Sequence, residues 1–206
     1  MLKTKPLTTL TALVGLALTV SAATAQAAVF DESVSGDLSN NQGLPTLLGF
    51  SSGLNRVIGN VNGTGGDSQD WITFNVPSGF VLTSDVLAVY TSSDAQGFTG
   101  FHTGTSFTGS AFSPDSYNGY THFGTGAQNN VSPPVNLVGQ DLLPIMTDPT
   151  QAPGATGFTL PLGAGDYTFL IQQQGASTGY EFGFTLSEVP EPRALPLMLL
   201  AFGLTI

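Results

Sequence analysis

Strict alternation of apolar and polar residues is the feature that most constrains the fold. The segments "DWITFNV" (70–76), "YTFLIQQ" (167–173) and "YEFGFTL" (180–186) each repeat with a period of two. This period is typical of strands that bury one face and expose the other to water, as in antiparallel sheets. The side chains predicted to point inward are Ile72, Phe74, Val76, Tyr167, Phe169, Ile171, Tyr180, Phe182, Phe184 and Leu186.

Further strands are separated by frequent turn residues. "RVIGNV" (56–61) and "SDVLAVYTS" (84–92) are predicted strands, the second apolar enough to lie centrally, and the 174–177 segment predicts a hairpin between the last two strands. One short helix is predicted in 136–146, ending before Pro144. Many short strands with dense turns predict an all-β fold, a single jelly-roll-like β-sandwich. Residues 110–157, rich in Pro, Gly and Asn, are interpreted as a loop-rich insertion.

The first 27 residues have the pattern of a secretory signal peptide. Lys3 and Lys5 precede an apolar stretch from Leu7 to Val20, and small residues follow. Cleavage is predicted between Ala27 and Ala28. The β-sandwich domain is therefore expected to occupy residues 28–187.

The charge balance excludes nucleic-acid binding. Beyond the predicted signal peptide, two arginines against fourteen acidic residues leave a formal charge of −12. Such a chain is repelled by a polyanion and offers no basic patch to overcome the repulsion. The chain also contains no cysteine, so its stability must come from burial and not from disulfide bonds.

Two carboxylates are candidate ligands for a metal ion. Asp67 and Asp70 lie in "GGDSQDW", a glycine-rich turn before a predicted strand. Carboxylate oxygens on a tight turn suit Ca²⁺, with backbone carbonyls and water completing the coordination. The alternative is that both residues only cap the turn through their own backbone.

One tryptophan and two histidines are further candidate residues. Trp71 is predicted to point away from Ile72 and Phe74, where it would either stack on a sugar ring or lie under a loop. His102 and His122 have no metalloprotease spacing, and no Gly-x-Ser-x-Gly motif is present. No catalytic residue is therefore assigned.

The C-terminal segment resembles a sorting signal. "VPEP" followed by apolar residues resembles the PEP-CTERM signal of exported Gram-negative bacterial proteins, and its residues are Val189, Pro190, Glu191 and Pro192. The resemblance implies export, transient membrane association, handling by an exosortase and a link to exopolysaccharide or biofilm. In 188–206 the thirteen residues after Arg193 are fewer than the roughly 20 of a membrane span. The tail is therefore interpreted as a truncated form of the signal.

A second resemblance covers residues 56–187, apart from most of 110–157. "GGDSQDWITFNVPSGFVLTSDVLAVYTS" and "LGAGDYTFLIQQQGASTGYEFGFTLS" resemble the core and closing hairpin of bacterial pre-peptidase C-terminal-like domains. These domains are non-catalytic β-sandwiches of secreted proteins, so the resemblance implies a non-enzymatic role.

Together these features predict a non-catalytic protein of the periplasm, cell surface or extracellular matrix. Its expected partners are the export machinery, an exosortase and exopolysaccharide, and calcium is the candidate cofactor. The alternatives are a secreted hydrolase acting on polysaccharide and a lectin-like module that binds carbohydrate through Trp71 and a Ca²⁺ ion near Asp67 and Asp70.

Overall fold

The computed structural model describes residues 29–129 and 133–190, which form two β-sheets and a few helical turns. The α-helices are α1 (Glu32–Ser35) and α2 (Leu143–Met146), and Pro114–Ser116 form a 3-10 turn. No helix in the described ranges has the length and apolar character needed to span a membrane. The strands are β1 (Val29–Asp31), β2 (Thr46–Leu48), β3 (Gly53–Asn62), β4 (Gln69–Val76), β5 (Phe80–Ser92), β6 (Gln96–Thr103), β7 (Gly119–Gly124), β8 (Gly165–Gln172) and β9 (Ser177–Glu188).

The strands are divided between a four-stranded and a five-stranded sheet. The first has the order β1-β3-β9-β5 and the second the order β2-β4-β8-β6-β7. The three-residue strands β1 and β2 pair in parallel with β3 and β4, whereas the longer strands pair antiparallel. The prediction of an all-β fold is confirmed.

Aromatic rings from both sheets meet in the space between them. Phe184 of β9 lies with its ring centre 5.4 Å from that of Phe74 and 5.3 Å from that of Phe169, both in the other sheet. Phe182 of β9 makes an edge contact with Phe123 of β7 at 5.2 Å. These contacts place the sheets face to face as a β-sandwich around one main core.

The alternation correctly predicts which residues fill this core. All ten side chains predicted to point inward are buried there. The prediction that these strands expose their other face is wrong for β8 and for most of β4. Trp71, Thr168 and Leu170, which point away from the main core, are fully buried as well.

A third layer covers this outer face of the five-stranded sheet. Trp71 and Leu170 pack there against Phe107, Tyr117 and Ala152 in a second apolar cluster. Most of this cover comes from the region interpreted as a loop-rich insertion, which also contributes strand β7 and helix α2. Residues 110–157 therefore include structural elements that complete the fold as well as loops.

Two predictions about strand connections are wrong. β8 and β9 do not form a hairpin, because β8 pairs with β4 and β6 while β9 pairs with β3 and β5. The 174–177 segment instead carries the chain from one sheet to the other. β5 is the last strand of its sheet and not a central one, and segment 139–142 covers its outer edge through hydrogen bonds to Asp85 and Leu87.

The short helix also differs from its prediction. α2 starts at Leu143 and has Pro144 in its first turn, instead of ending before this proline. Proline is well accommodated there, because an amide in the first turn has no partner within the helix.

The packing predicts that one phenylalanine dominates stability while another is dispensable. Phe74 is fully buried and its ring contacts Phe50, Phe169 and Phe184, so Phe74→Ala should lower the free energy of unfolding by about 3–5 kcal/mol. Phe112 is 73% exposed, so Phe112→Ala should change it by less than about 0.5 kcal/mol. Urea denaturation measures both values. Equal losses in the two variants would contradict this account of the core.

Candidate functional site

Asp67 and Asp70 occupy different environments around the turn between β3 and β4. Asp67 closes the turn: its N–H donates to the carbonyl oxygen of Asn62 at 3.1 Å, and its own carbonyl accepts from the Asn62 N–H. Asp70 is the second residue of β4 and is fully buried. The turn-capping role considered for both residues therefore fits Asp67 and leaves Asp70 unexplained.

Asp70 carries a carboxylate oxygen that lacks a hydrogen bond. Its Oδ2 accepts a hydrogen bond of 2.6 Å from the hydroxyl of Tyr180 on β9 in the opposite sheet. Its Oδ1 is buried and has no hydrogen-bond partner among the residues that the structure describes. Burying an unpartnered polar atom costs about 1–3 kcal/mol, and more when the group is charged.

Two acidic residues of the N-terminal segment lie next to Asp70. One carboxylate oxygen each of Glu32, Asp37 and Asp70 lies within 4.8 Å of the other two. The Glu32 carboxylate accepts hydrogen bonds from the N–H groups of Leu38 at 2.9 Å and Asn60 at 2.7 Å. We call Glu32, Asp37 and Asp70, with the nearby Asp67, the acidic cluster.

The position of Glu32 depends on local backbone features. β1 pairs in parallel with β3, so the first turn after β1 lies beside the middle of β3. A glycine at position 59 leaves room there, since a Cβ atom at this position would lie 2.8 Å from Glu32 Oε2 and would also clash with Tyr180. The parallel pairing and this glycine together bring Glu32 to the cluster.

The acidic cluster has no compensating positive charge among the described residues. Arg56 is the one Lys or Arg within the described ranges, and it forms an ion pair with Glu181 at 2.6 Å. Burial, together with the negative charges of Glu32, Asp67 and Asp37, raises the pKa of Asp70 to about 8, although the Tyr180 hydrogen bond opposes this shift. Burial also raises the pKa values of Glu32 and Asp67.

The geometry of the cluster fits a hard divalent cation. Oxygen ligands bind Ca²⁺ at about 2.3–2.6 Å, so two ligands on opposite sides of the ion are roughly 5 Å apart. The three carboxylate oxygens of the group lie within 4.8 Å of one another, inside this span. Asp70 Oδ1 and Asp67 Oδ1 are both buried without a hydrogen-bond partner among the described residues.

The sequence prediction included only part of this cluster. Asp70 belongs to the compact group, and Asp67 is near enough for its charge to raise the pKa of Asp70. Glu32 and Asp37 were not predicted, because they precede Asp70 by more than thirty residues and no local motif links them to it. The acidic and Gly/Ser-rich composition of 31–37 was the only signal.

Trp71 does not provide the surface platform proposed for sugar stacking. Its side chain is fully buried, with its ring centre 4.9 Å from that of Phe107, and its indole N–H donates to Gln69 at 3.2 Å. The structure therefore agrees with the alternative that Trp71 lies under a loop. The lectin-like function loses the aromatic residue on which it was based.

The two histidines are separated from the acidic cluster. The rings of His102 and His122 pack edge-on against Phe107 and Phe98, respectively. Neither histidine belongs to the group of carboxylates around Asp70. The structure thus gives both residues packing contacts on the outer face of the five-stranded sheet.

Only the first half of the sorting motif lies within the described residues. Val189 follows directly after β9, is half exposed, and donates its N–H to the carbonyl oxygen of Gly79 at 2.8 Å. Pro190 is exposed and belongs to no helix or strand, and the described part of the chain ends there. Neither residue contributes to the acidic cluster. The predicted signal peptide with its cleavage site at Ala27 and Ala28, and the motif residues Glu191 and Pro192, lie outside the described residues.

Comparison with known proteins assigns the chain to no family. No family model matches the chain, and no curated protein matches it. The two resemblances stay predictions, and the acidic cluster is interpreted from its own geometry.

The pKa of Asp70 predicts that the cation-free protein loses stability as the pH rises. Its pKa is about 8 in the folded state, against 3.8 for an ordinary aspartate, so the folded state binds an additional proton between these values. The free energy of unfolding should therefore fall between pH 4 and pH 8, on the order of a few kcal/mol. Urea denaturation in EGTA at pH 5 and pH 8 measures this fall.

Asp70→Asn is the matched control for this experiment. The amide is neutral at both pH values and still offers an oxygen to the Tyr180 hydroxyl. Burial also raises the pKa values of Asp85, Glu32 and Asp67, which contribute to the fall in both proteins, so the difference between the two proteins reports the contribution of Asp70. If the free energy of unfolding depends equally on pH in the wild type and in Asp70→Asn, the raised pKa of Asp70 is contradicted.

Proposed function

We propose that the chain is a non-catalytic, exported protein of the cell envelope or extracellular matrix whose β-sandwich is stabilised by calcium. The observation that carries the calcium assignment is the buried, unpartnered Oδ1 of Asp70 beside three further carboxylates. A bound Ca²⁺ would supply the missing partner and would offset both the burial and the mutual repulsion that raise the pKa values in the cluster.

An extracellular location is consistent with this type of site. Calcium sites of extracellular modules bind with dissociation constants of about 10⁻⁴–10⁻³ M, so they fill only where calcium is abundant. The chain contains no cysteine, and a metal ion is one of the ways in which a disulfide-free exported domain gains stability. Both points support a domain that reaches its full stability after export.

The path of the chain between the sheets supports the jelly-roll form of the sandwich. From β3 onward the chain changes sheet at every connection except those from β6 to β7 and from β7 to β8, and segment 139–142, between β7 and β8, hydrogen-bonds to β5 of the four-stranded sheet. Repeated crossing of the chain between two packed sheets is typical of the jelly roll. Viral capsid and lectin domains are examples of this fold.

Export and sorting are proposed from the two ends of the chain. The signal-peptide pattern in 1–27 and the "VPEP" motif at Val189–Pro192 together support transit by the secretory route followed by exosortase handling. β9 closes at Glu188, so the motif begins directly after the last strand, and its exposed Pro190 is accessible to a processing enzyme. Association with exopolysaccharide follows from the same resemblance.

Calcium should raise the melting temperature of the protein. At pH 7.5, 10 mM CaCl₂ should increase the Tm by roughly 3–10 °C, because the ion binds only the folded state with an affinity typical of extracellular sites. Excess EGTA should reverse the increase, and MgCl₂ should produce a smaller one. Differential scanning calorimetry provides the measurement.

Two asparagine variants test whether the increase comes from the acidic cluster. Asp37 is exposed, so Asp37→Asn should leave the fold intact and remove most of the increase. Asp115 is exposed on the 3-10 turn, outside the cluster, and Asp115→Asn should respond as the wild type does. An unchanged Tm in the wild type, or an equal increase in Asp37→Asn, would reject the site.

The mass of the mature protein tests the proposed export. Intact mass spectrometry of protein recovered from the native host should give a species that begins at Ala28 and ends near Pro192. Material from the cell and from the medium should be compared. A species that retains residues 1–27 would reject export, and one that retains Ile206 would reject sorting.

A further inference from the structure

A groove of about 480 Å³ lies on the outer face of the five-stranded sheet. It is built on β6, β7 and the end of β8 and is bounded by the loop after β6 and by the turn that follows β8. Its volume is within the range of about 300–1,000 Å³ that is usual for small-molecule sites. None of the carboxylates of the acidic cluster lines it.

The floor of the groove is a row of three side chains across neighbouring strands. Phe98 of β6 is paired in register with His122 of β7 on one side and with Gln172 of β8 on the other. The ring of Phe98 also stacks on Tyr120, with ring centres 5.6 Å apart. Residues paired in this way project to the same face of the sheet, so the row offers an aromatic ring between two polar groups.

Gln172 carries a hydrogen-bond donor without a partner. Its side chain lines the groove and is 5% exposed, and its Nε2 has no hydrogen-bond partner among the described residues. Because buried amide groups are nearly always hydrogen-bonded, this nitrogen points to a ligand oxygen or to a water that a ligand would replace.

Phe112 provides a second aromatic ring at the wall of the groove. It lies in the loop after β6 and is 73% exposed. Ring contacts join most of the neighbouring aromatic residues to each other, yet none involves Phe112. The ring of Phe112 is therefore free to contact a ligand in the groove, and small-molecule sites are lined mainly by hydrophobic and aromatic side chains.

The charge of the groove indicates which ligands it accepts. The carboxylate of Asp94 lines it, close to Gly175, and no Lys or Arg of the described ranges does. An anionic ligand such as a nucleotide, a sulfated glycan or a uronate would meet a negative potential without a counter-charge. The groove therefore disfavours anionic ligands, and its Asp94 carboxylate and Gln172 amide suit an uncharged ligand that carries hydroxyl groups.

We propose that this groove binds a neutral oligosaccharide. Phe112 and Phe98 offer ring faces to the apolar faces of sugar rings, the Gln172 amide donates to a hydroxyl oxygen, and Asp94 accepts from hydroxyl groups. This pattern of aromatic surface with a few directed polar groups is typical of small-ligand sites. The site is distinct from the acidic cluster and does not involve Trp71.

The inference rests on the proposed function only for the origin of the glycan, which would be the matrix around the cell. It can be tested on the purified protein. The first experiment is a glycan array that carries neutral, amino-sugar, uronate and sulfated oligosaccharides, probed in buffer with CaCl₂. Isothermal titration calorimetry with the best neutral oligosaccharide then gives the affinity.

Three variants connect binding to the groove. Phe112→Ala and Gln172→Met should each weaken binding by roughly tenfold or more. Methionine has a length similar to that of glutamine and lacks the amide, so Gln172→Met should fold normally. Leu47 is 74% exposed at the opposite edge of the same sheet, and Leu47→Ala should bind like the wild type.

Preferential binding to neutral glycans that both groove variants weaken would support the proposal. Three results would overturn it: no binding to neutral glycans, preference for uronate or sulfated glycans, or equal affinity in the wild type and both groove variants. Each result is independent of the calcium melts and of the mature mass. Failure of this site and failure of the proposed function can therefore be distinguished.

Discussion

Contact between aromatic rings of opposite sheets is the interaction on which the rest of this structure depends. Without cysteine, the chain must join its two sheets by burial, and Phe74, Phe169, Phe182 and Phe184 supply the rings that meet between them. The outer face of the five-stranded sheet repeats this arrangement with Trp71 and the aromatic residues of the covering loops. Rigid strands packed on both faces can then hold polar groups in fixed positions.

One pair of neighbouring strands positions both candidate sites. Asp70 of β4 is paired with Ile171 of β8, and Gln69 is paired with Gln172. Because side chains alternate between faces, Asp70 points between the sheets toward Tyr180, whereas Gln172 lines the groove outside. Asp70 and Gln172 each bury a polar atom that has no hydrogen-bond partner among the described residues. An apolar residue at either position would not carry this energetic cost. These are the places where function is expected to override stability.

Local patterns predicted where the strands lie in the sequence, but contacts between distant residues decided which strands pair and in which sheet. The period of two identified β4, β8 and β9 and their inward residues, since alternation is a property of neighbouring residues. It could not show that β8 and β9 belong to different sheets, because a short polar turn is compatible with a hairpin and with a crossing between sheets. β6 and β7, rich in Gly and Thr, gave little apolar signal.

The same limit applies to the candidate sites. Asp67 and Asp70 could be selected as ligands from their spacing, whereas Glu32 and Asp37 reach Asp70 only because β1 lies beside β3. The alternation correctly placed Trp71 on the outer face, but the loop that buries it could not be predicted. The groove depends on register across β7, β6 and β8, which no local pattern reports.

The attachment of the N-terminal segment has a consequence for the resistance of the protein to proteases. β1 lies at the edge of the four-stranded sheet and has three paired residues, and the turn after it is held by the hydrogen bond from Asn60 to Glu32. A short edge strand opens more easily than long central strands, and a protease cleaves such a segment while it is open. If Glu32 and Asp37 share a cation with Asp70, each opening must also release that ion. The calcium content of the surroundings would then set how quickly proteases degrade the protein.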